Sequence, residues 1–205
     1  MTFGIVRLYR ASDPQKAVDV TNNHLDKHNR KNAYIGKSMT MPNVFLLGTR
    51  YESLSQKEEE DKENRDANLV GNLGGGEFLN ISLVKPVNST NEGKALNSNK
   101  YLSIFGGENS DVRKTVEMAE KINSLDGKSL LDNGISTVQL VGLTGVPANR
   151  TFIWHAIETQ EIAEKVLVDG VAPFHSEEGL KVIQETMPLW KTKNRGFFQT
   201  MRNTG

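Results

Sequence analysis

The sequence predicts an α+β fold built from two copies of one βαββαβ unit. Three observations predict it. The order strand, helix, strand, strand, helix, strand can be read twice along the 205 residues. A stretch from Pro86 to Asn99, rich in Asn, Ser, Thr, Gly and Lys and poor in apolar residues, separates the two readings. The chain has no cysteine, yet at this length it buries a sizeable core without staples. We set the first unit at 1–90, the linker at 91–98 and the second unit at 99–205.

Each element has its own warrant. Phe3 to Tyr9 alternates apolar and polar residues as a strand does, and Ser12-Asp13-Pro14 starts a helix with a cap followed by proline. Ala17, Val18, Val20 and Leu25 form its apolar stripe, which runs to His28. Ala33 to Met41 and Asn43 to Glu52 read as two strands about a turn at Pro42-Asn43. Ser55 to Asn68 is almost wholly charged and reads as a solvated helix or a mobile loop. Gly74-Gly75-Gly76 lacks the spacing of a phosphate-binding loop and leads into a strand at Glu77 to Val84.

After the linker, Lys100 to Phe105 is a strand, Gly106 to Asp111 a turn with capping residues, and Val112, Val116, Ala119 and Ile122 a helix stripe. Ile135 to Leu143 is a strand, and Gly145 to Pro147 is a turn. Thr151 to Ile157 is a strand in which Trp154 and His155 take opposite faces. Thr159 caps a helix carrying Ile162, Ala163, Val166 and Leu167, and a second helical run covers Ser176 to Met187 before a last strand at Gly196 to Met201. Two stretches align between the halves, with Phe45 placed on Phe152 and Leu47 on Trp154, which suggests an internal duplication.

Composition narrows the function. Lysine plus arginine equals aspartate plus glutamate at 25 each, so no net field draws the chain to nucleic acid or an anionic membrane. Without cysteine there is no thiol catalysis, disulfide or thiolate metal site. No stretch approaches the ~18 apolar residues of a membrane span and no leader is evident, so the expected location is the cytoplasm. No nucleophile elbow, Walker loop, zinc motif or dinucleotide fingerprint is present. His24 and His28 have the i, i+4 spacing of two metal ligands, but no third ligand is evident and no metal is assigned.

A βαββαβ unit is ferredoxin-like, and its sheet carries helices on one face only. Two such units in one chain can face their sheets together and close a barrel. The layout resembles the dimeric α/β-barrel superfamily, which includes antibiotic-biosynthesis monooxygenases and haem-degrading monooxygenases, here as a tandem fusion; at residue level the likeness is concentrated in Thr151 to Trp190. It implies an intramolecular barrel and a monooxygenase-like activity on an apolar aromatic substrate. The haem-degrading branch carries an Asn near the end of the first strand, a Trp on the second helix and a His about ten residues later on that helix. Asn109 fills the first place and His175 the last, while the Trp place falls on Lys165 or Val166. The cofactor is accordingly either none or haem.

The candidate catalytic residues are His155, as a general base near neutral pH, and His175, one or the other handling a proton. A hydrogen-bonded sheet histidine and a loop histidine are the plain alternatives. Trp154 and Trp190 are candidate cavity walls, Trp154 alternatively packing beneath a helix; Asn109 joins them as substrate-binding through the resemblance. Arg10 and Arg50 follow strands and would hold an anionic group. The expected partner is a small apolar or aromatic molecule, with further self-association left open. A non-enzymatic ligand-binding or assembly protein of the same fold is the competing expectation.

Overall fold

The computed structural model describes residues 2–90, 99–145 and 149–204. The first unit comprises β1 (Phe3–Ala11), α1 (Pro14–Lys27), β2 (Ala33–Ser38), β3 (Val44–Tyr51), α2 (Leu54–Asp66), the short α3 (Leu69–Asn72) and β4 (Gly76–Ser89). The second comprises β5 (Tyr101–Glu108), α4 (Val112–Asp132), β6 (Ile135–Thr144), β7 (Arg150–Ile157), α5 (Gln160–Asp169), α6 (Glu177–Thr186) and β8 (Asn194–Asn203). Short 3-10 turns lie at Ala172–Phe174 and Met187–Leu189. The linker assigned to 91–98, and residues 146–148 with most of the turn assigned around them, fall outside the described residues.

The described strands close a barrel in the order β1-β3-β2-β8-β5-β7-β6-β4. Cut at two seams, β2 with β8 and β4 with β6, this order separates into β4-β1-β3-β2 and β8-β5-β7-β6, the same antiparallel arrangement twice. The architecture is therefore the predicted one: two ferredoxin-like units facing each other as an intramolecular α/β barrel. Alternation along each strand divides the side chains between two environments. Leu46, Val84, Leu102, Val138, Leu140, Trp154 and Phe198 face the barrel interior as one buried cluster. On the opposite face Ile135, Ile157 and Phe197 pack beneath Leu130 of α4 and Ala163 and Val166 of α5, and Tyr9 and Phe45 pack beneath Ala17 of α1.

This alternation corrects the residue alignment between halves. Phe45 and Leu47 point to the helix side, whereas Phe152 and Trp154 point into the barrel. A shift of one residue exchanges the two faces of a strand, so the alignment is out of step with the fold even though the strand order repeats.

Local chemistry explains where elements begin and end. Asp13, Ser53, Asp111, Thr159 and Ser176 each accept a backbone N–H in the first turn of the following helix. β2 stops at Ser38, short of the predicted Met41, because the Ser38 hydroxyl accepts from the N–H groups of Thr40 and Met41 at 3.3 and 3.0 Å and turns the chain. β4 runs five residues past its predicted end through Pro86 to Ser89, since its pairing with β6 shifts register between Pro86 and Asn88 and absorbs the missing donor. The charged stretch is helical, as α2, and is not wholly solvated: Glu60 is buried, accepts the Tyr51 hydroxyl at 2.7 Å and lies beside Arg30. His24 is likewise buried and packs against His28, the tilted rings 4.5 Å apart between centroids. Among the described residues no cluster could hold a metal, and no helix is long and apolar enough to cross a membrane.

Leu102 is fully buried at the centre of the barrel interior, reached from strands of both units. Leu102→Ala should lower the unfolding free energy by about 2–5 kcal/mol, measured by urea titration monitored by circular dichroism.

Candidate functional site

Among the described residues, two sizeable cavities accompany the barrel. The first, about 180 Å³, lies between the outer face of β5–β8 and the helices α4–α6. Its walls are mostly apolar, among them Phe105, Ile122, Ile153, Ile183 and Trp190, and Trp190 packs on Phe105 with ring centroids 4.8 Å apart. The polar groups reaching it are few: His155, His175, Gln139, Thr137, Asn123 and Arg195 among them. An apolar enclosure with a handful of convergent polar groups is the usual form of a small-molecule site.

His175 is held from below. Asp126 in α4 accepts from His175 Nδ1 at 2.7 Å, from the Ser176 hydroxyl at 2.6 Å and from Ser176 N–H at 3.2 Å. A carboxylate only accepts, so the His175 proton is on Nδ1 and its Nε2 is left unblocked by this contact. Burial works to raise the Asp126 carboxyl, but the Ser176 and His175 hydrogen bonds outweigh it and hold it below its ordinary value. The contact demands glycine at position 179: a Cβ there would sit 1.8 Å from Asp126 Oδ2. The start of α6 is thereby pinned to α4, and the imidazole side chain, 3% exposed, is fixed in orientation.

His155 projects from β7 toward the helices and makes a 3.2 Å contact from Nδ1 to the Thr137 hydroxyl on the neighbouring β6. Burial, and then the positive charges of His175 and Arg195, push its pKa down to about 3. It is therefore neutral at ordinary pH, in surroundings that favour an anion nearby. Gln139, two residues from Thr137 on the same face, is 2% exposed, and neither its Oε1 nor its Nε2 has a hydrogen-bond partner among the described residues. Asn88 lies opposite it across the β4–β6 seam; its Oδ1 accepts from Asn123 at 2.9 Å while its Nδ2 is also unsatisfied. Unsatisfied buried amides of this kind cost about 1–3 kcal/mol each and mark a place where a ligand atom can complete the bonding.

The predicted site residues separate. His155, His175 and Trp190 share the helix-side cavity. Trp154 faces the other way and, with Arg50, lines a second cavity in the barrel interior; Arg50 is also paired with Glu52 at 3.1 Å. Asn109 lines neither: its amide donates to Thr151 and accepts from Thr115, so its hydrogen-bonding groups are committed to tying β5 to β7 and α4. Arg10 is exposed, bonded to Glu77 at 2.8 Å, and lines neither cavity. Gln139, Asn88, Asn123 and Asp126 were not singled out in the sequence. A glutamine between Val138 and Leu140 in an apolar strand was the one signal that could have found the first of them.

The cavity also bears on haem. An apolar cavity of about 150 Å³ holds benzene. A porphyrin is several times larger, so the 180 Å³ enclosed by these residues does not fit it.

Between pH 6.5, the ordinary value, and about 3, the unfolded chain carries a proton at His155 that the native chain does not. Stability from this group is complete above pH 6.5 and is lost as the pH falls toward 3, by at most about 1.4 kcal/mol per pH unit. His24, also lowered by burial, tilts the same window, whereas Asp126 acts only below its ordinary 3.8. The difference between wild type and His155→Gln isolates the first effect: urea titrations at pH 7.0, 5.5 and 4.5 should show the variant losing less stability on acidification.

By sequence, no family model and no curated protein matches the chain. By structure, an anthrone oxidase-like protein superposes with a TM-score of 0.65 at 10% identity, covering 98% of this chain and 92% of its own. A provisionally assigned monooxygenase from Fusobacterium nucleatum gives 0.71 at 10% identity, covering 100% and 95%. A mutant chlorite dismutase from Candidatus Nitrospira defluvii gives 0.61 at 7%, covering 98% and 92%. Likeness at these identities speaks for the fold and leaves the chemistry open. Strand order, barrel closure and these neighbours agree: the chain has the fold of the dimeric α/β-barrel superfamily, with both ferredoxin-like units in one polypeptide.

Proposed function

We propose that this chain binds a small apolar aromatic molecule in the helix-side cavity and acts on it as a cofactor-independent monooxygenase. The observation that carries the reading is the pairing of a buried neutral His155 with an unsatisfied Gln139 in an otherwise apolar enclosure. The names of the structural neighbours, anthrone oxidase-like and monooxygenase among them, lend support. The volume limits the substrate to one or two rings, since about 150 Å³ is filled by benzene.

In this reading the substrate is a phenol or ring ketone with an acidic C–H or O–H. His155 accepts the proton, and the anion that forms is held by the Arg195 charge and by the Gln139 N–H donors. A base with a pKa of about 3 is weak alone, so the reaction depends on forming anion and imidazolium as a close pair where water is excluded. His175 adds positive charge when protonated, and Asp126 fixes its ring. The anion gives up electrons to dioxygen. A ring CH2 becomes C=O, one oxygen atom enters the product and the other leaves as water with the two hydrogens, so no external reductant is consumed. The competing reading, a ligand-binding protein without turnover, draws on the same cavity and on the weakness of His155 as a base.

Oxygen consumption with a panel of one- and two-ring phenols and ring ketones separates the two. Turnover should fall about 10²–10⁴-fold in His155→Ala. Binding of the same compounds with no oxygen uptake by wild type would move the assignment to the non-enzymatic reading.

Gln139→Leu offers a second, independent check. Removing an unsatisfied buried amide should raise stability by about 1 kcal/mol or more while lowering turnover. A fall in stability instead would make Gln139 a structural residue.

A further inference from the structure

The barrel interior holds the larger of the two cavities, about 410 Å³, within the ~300–1,000 Å³ typical of ligand sites. Its inner wall is formed by Val6, Tyr34, Val84, Val138, Leu140 and Trp154. It is separated from the helix-side cavity by the sheet itself and, among the described residues, shares only Asn88 with it.

The sequence keeps this space open where nothing in the backbone requires it. Gly4 on β1 and Gly48 on β3 both border the cavity, on the face that Val6 and Leu46 share with the interior. Neither has a positive φ. A Cβ on Gly48 would meet nothing nearer than Tyr34 Cβ at 3.7 Å, and one on Gly4 nothing nearer than 3.5 Å, ordinary contact distances. Larger residues would fit, would raise strand propensity and would fill the space. Leaving it unfilled forgoes packing that stabilises a barrel core.

The polar groups point to the occupant. Trp154 is 7% exposed, and its Nε1–H has no hydrogen-bond partner among the described residues. The Tyr34 hydroxyl is already bonded to Thr200 at 3.2 Å, and burial pushes its pKa up to about 12, so it stays neutral. Among the described residues the only cation lining this cavity is Arg50, half-exposed and engaged by Glu52. A carboxylate drawn inside would find no counter-charge, at considerable cost. A neutral acceptor oxygen on an apolar body would meet a free donor and an apolar wall.

We propose that the barrel interior is a second ligand site, distinct from the helix-side cavity, which takes a neutral apolar carbonyl compound of the quinone or aryl-ketone class and hydrogen-bonds its oxygen to Trp154 Nε1–H. This site does not rest on the oxygenase reading, and the chain's tryptophans allow the two to be tested apart. The chain has two tryptophans, Trp154 in the interior and Trp190 in the helix-side cavity, so each indole N–H reports on one cavity. The absence of cysteine removes thiol addition as a complication with quinones.

The experiment is a titration of ¹⁵N-labelled full-length protein with 1,4-naphthoquinone, naphthalene and 1-naphthoate, following the indole signals assigned with Trp154→Phe. Naphthoquinone should shift the Trp154 signal downfield and saturably; naphthalene should bind about three- to tenfold more weakly, and naphthoate should leave the signal unmoved. Gly48→Ala, whose added methyl meets only ordinary contacts, should weaken naphthoquinone binding several-fold while leaving the Trp190 signal and the unfolding midpoint at or above wild type. A shift confined to Trp190, equal affinity for naphthalene and naphthoquinone, or no saturable shift at Trp154 would overturn the proposal. Loss of oxygenase activity in His155→Ala, or its absence from wild type, would not bear on it.

Discussion

Everything in this structure follows from the need to cover the bare face of a one-sided sheet. Each unit lays its helices on one face of four antiparallel strands and leaves the other face apolar, with Leu46 and Val84 in one unit and Leu102, Val138, Leu140 and Phe198 in the other. Neither face is tolerable in water. Joining β2 to β8 and β4 to β6 buries both at once and leaves no unpaired edge among the described strands. Closure also fixes where ligands can go. A strand in such a barrel has an inner and an outer surface, and space can be left on either side of it. Both options are used here, one in each layer of the fold.

The helix-side cavity is sustained by polar anchoring more than by packing. Asp126 draws three hydrogen bonds onto a carboxylate at the junction of α4 and α6, where Gly179 allows the backbone to come close. With that junction set, α6 stands off the sheet, and Phe105, Ile153 and Ile183 border a space rather than fill it. The same anchoring sets the electrostatics. His175 and Arg195 add to burial in holding His155 neutral, so the charge state of His155 follows from the same arrangement. The first unit builds its equivalent layer differently. There Glu60 and Glu63 of α2 meet Arg30 and His28 at the end of α1, with His24 packed against His28, as a polar cluster.

The strand order was readable because the relevant signals are local. Asp13-Pro14, Thr159 and Ser176 are caps, and the alternation from Thr151 to Ile157 declares a strand whatever surrounds it. What misled was also local in form and tertiary in cause. The stretch after Val84 carries proline and asparagine and reads as linker, yet β4 continues to Ser89 because a bulge at the β4–β6 seam accepts Pro86. That reading hid Asn88, which faces Gln139 across the seam. Asp126 sat in a helix rich in polar residues with nothing to mark it, since its partners His175 and Ser176 lie about 50 residues away. Asn109 seemed a site residue by analogy, but its amide is spent inside the core on Thr151 and Thr115. The side to which Trp154 and His155 each turned depended on register, which alternation alone leaves ambiguous.

That register has a consequence for how any ligand sites are connected. Trp154 and His155 are neighbours in the chain, yet one borders the barrel interior and the other the helix-side cavity. β7 is thus a wall between two compartments, paired on one side to β5 and on the other to β6. A ligand that pushed Trp154 outward would strain the same backbone that positions His155 against Thr137. The barrel resists such a shift, because β7 is hydrogen-bonded along both edges and its register is held by buried residues on both faces. Occupancy of one compartment should therefore leave the geometry of the other largely unchanged. In this fold adjacency in sequence does not imply a shared site. The functional unit on each side of the sheet is the set of alternate residues, so Thr137, Gln139, Ile153 and His155 belong together while Trp154 belongs with Val138 and Leu140.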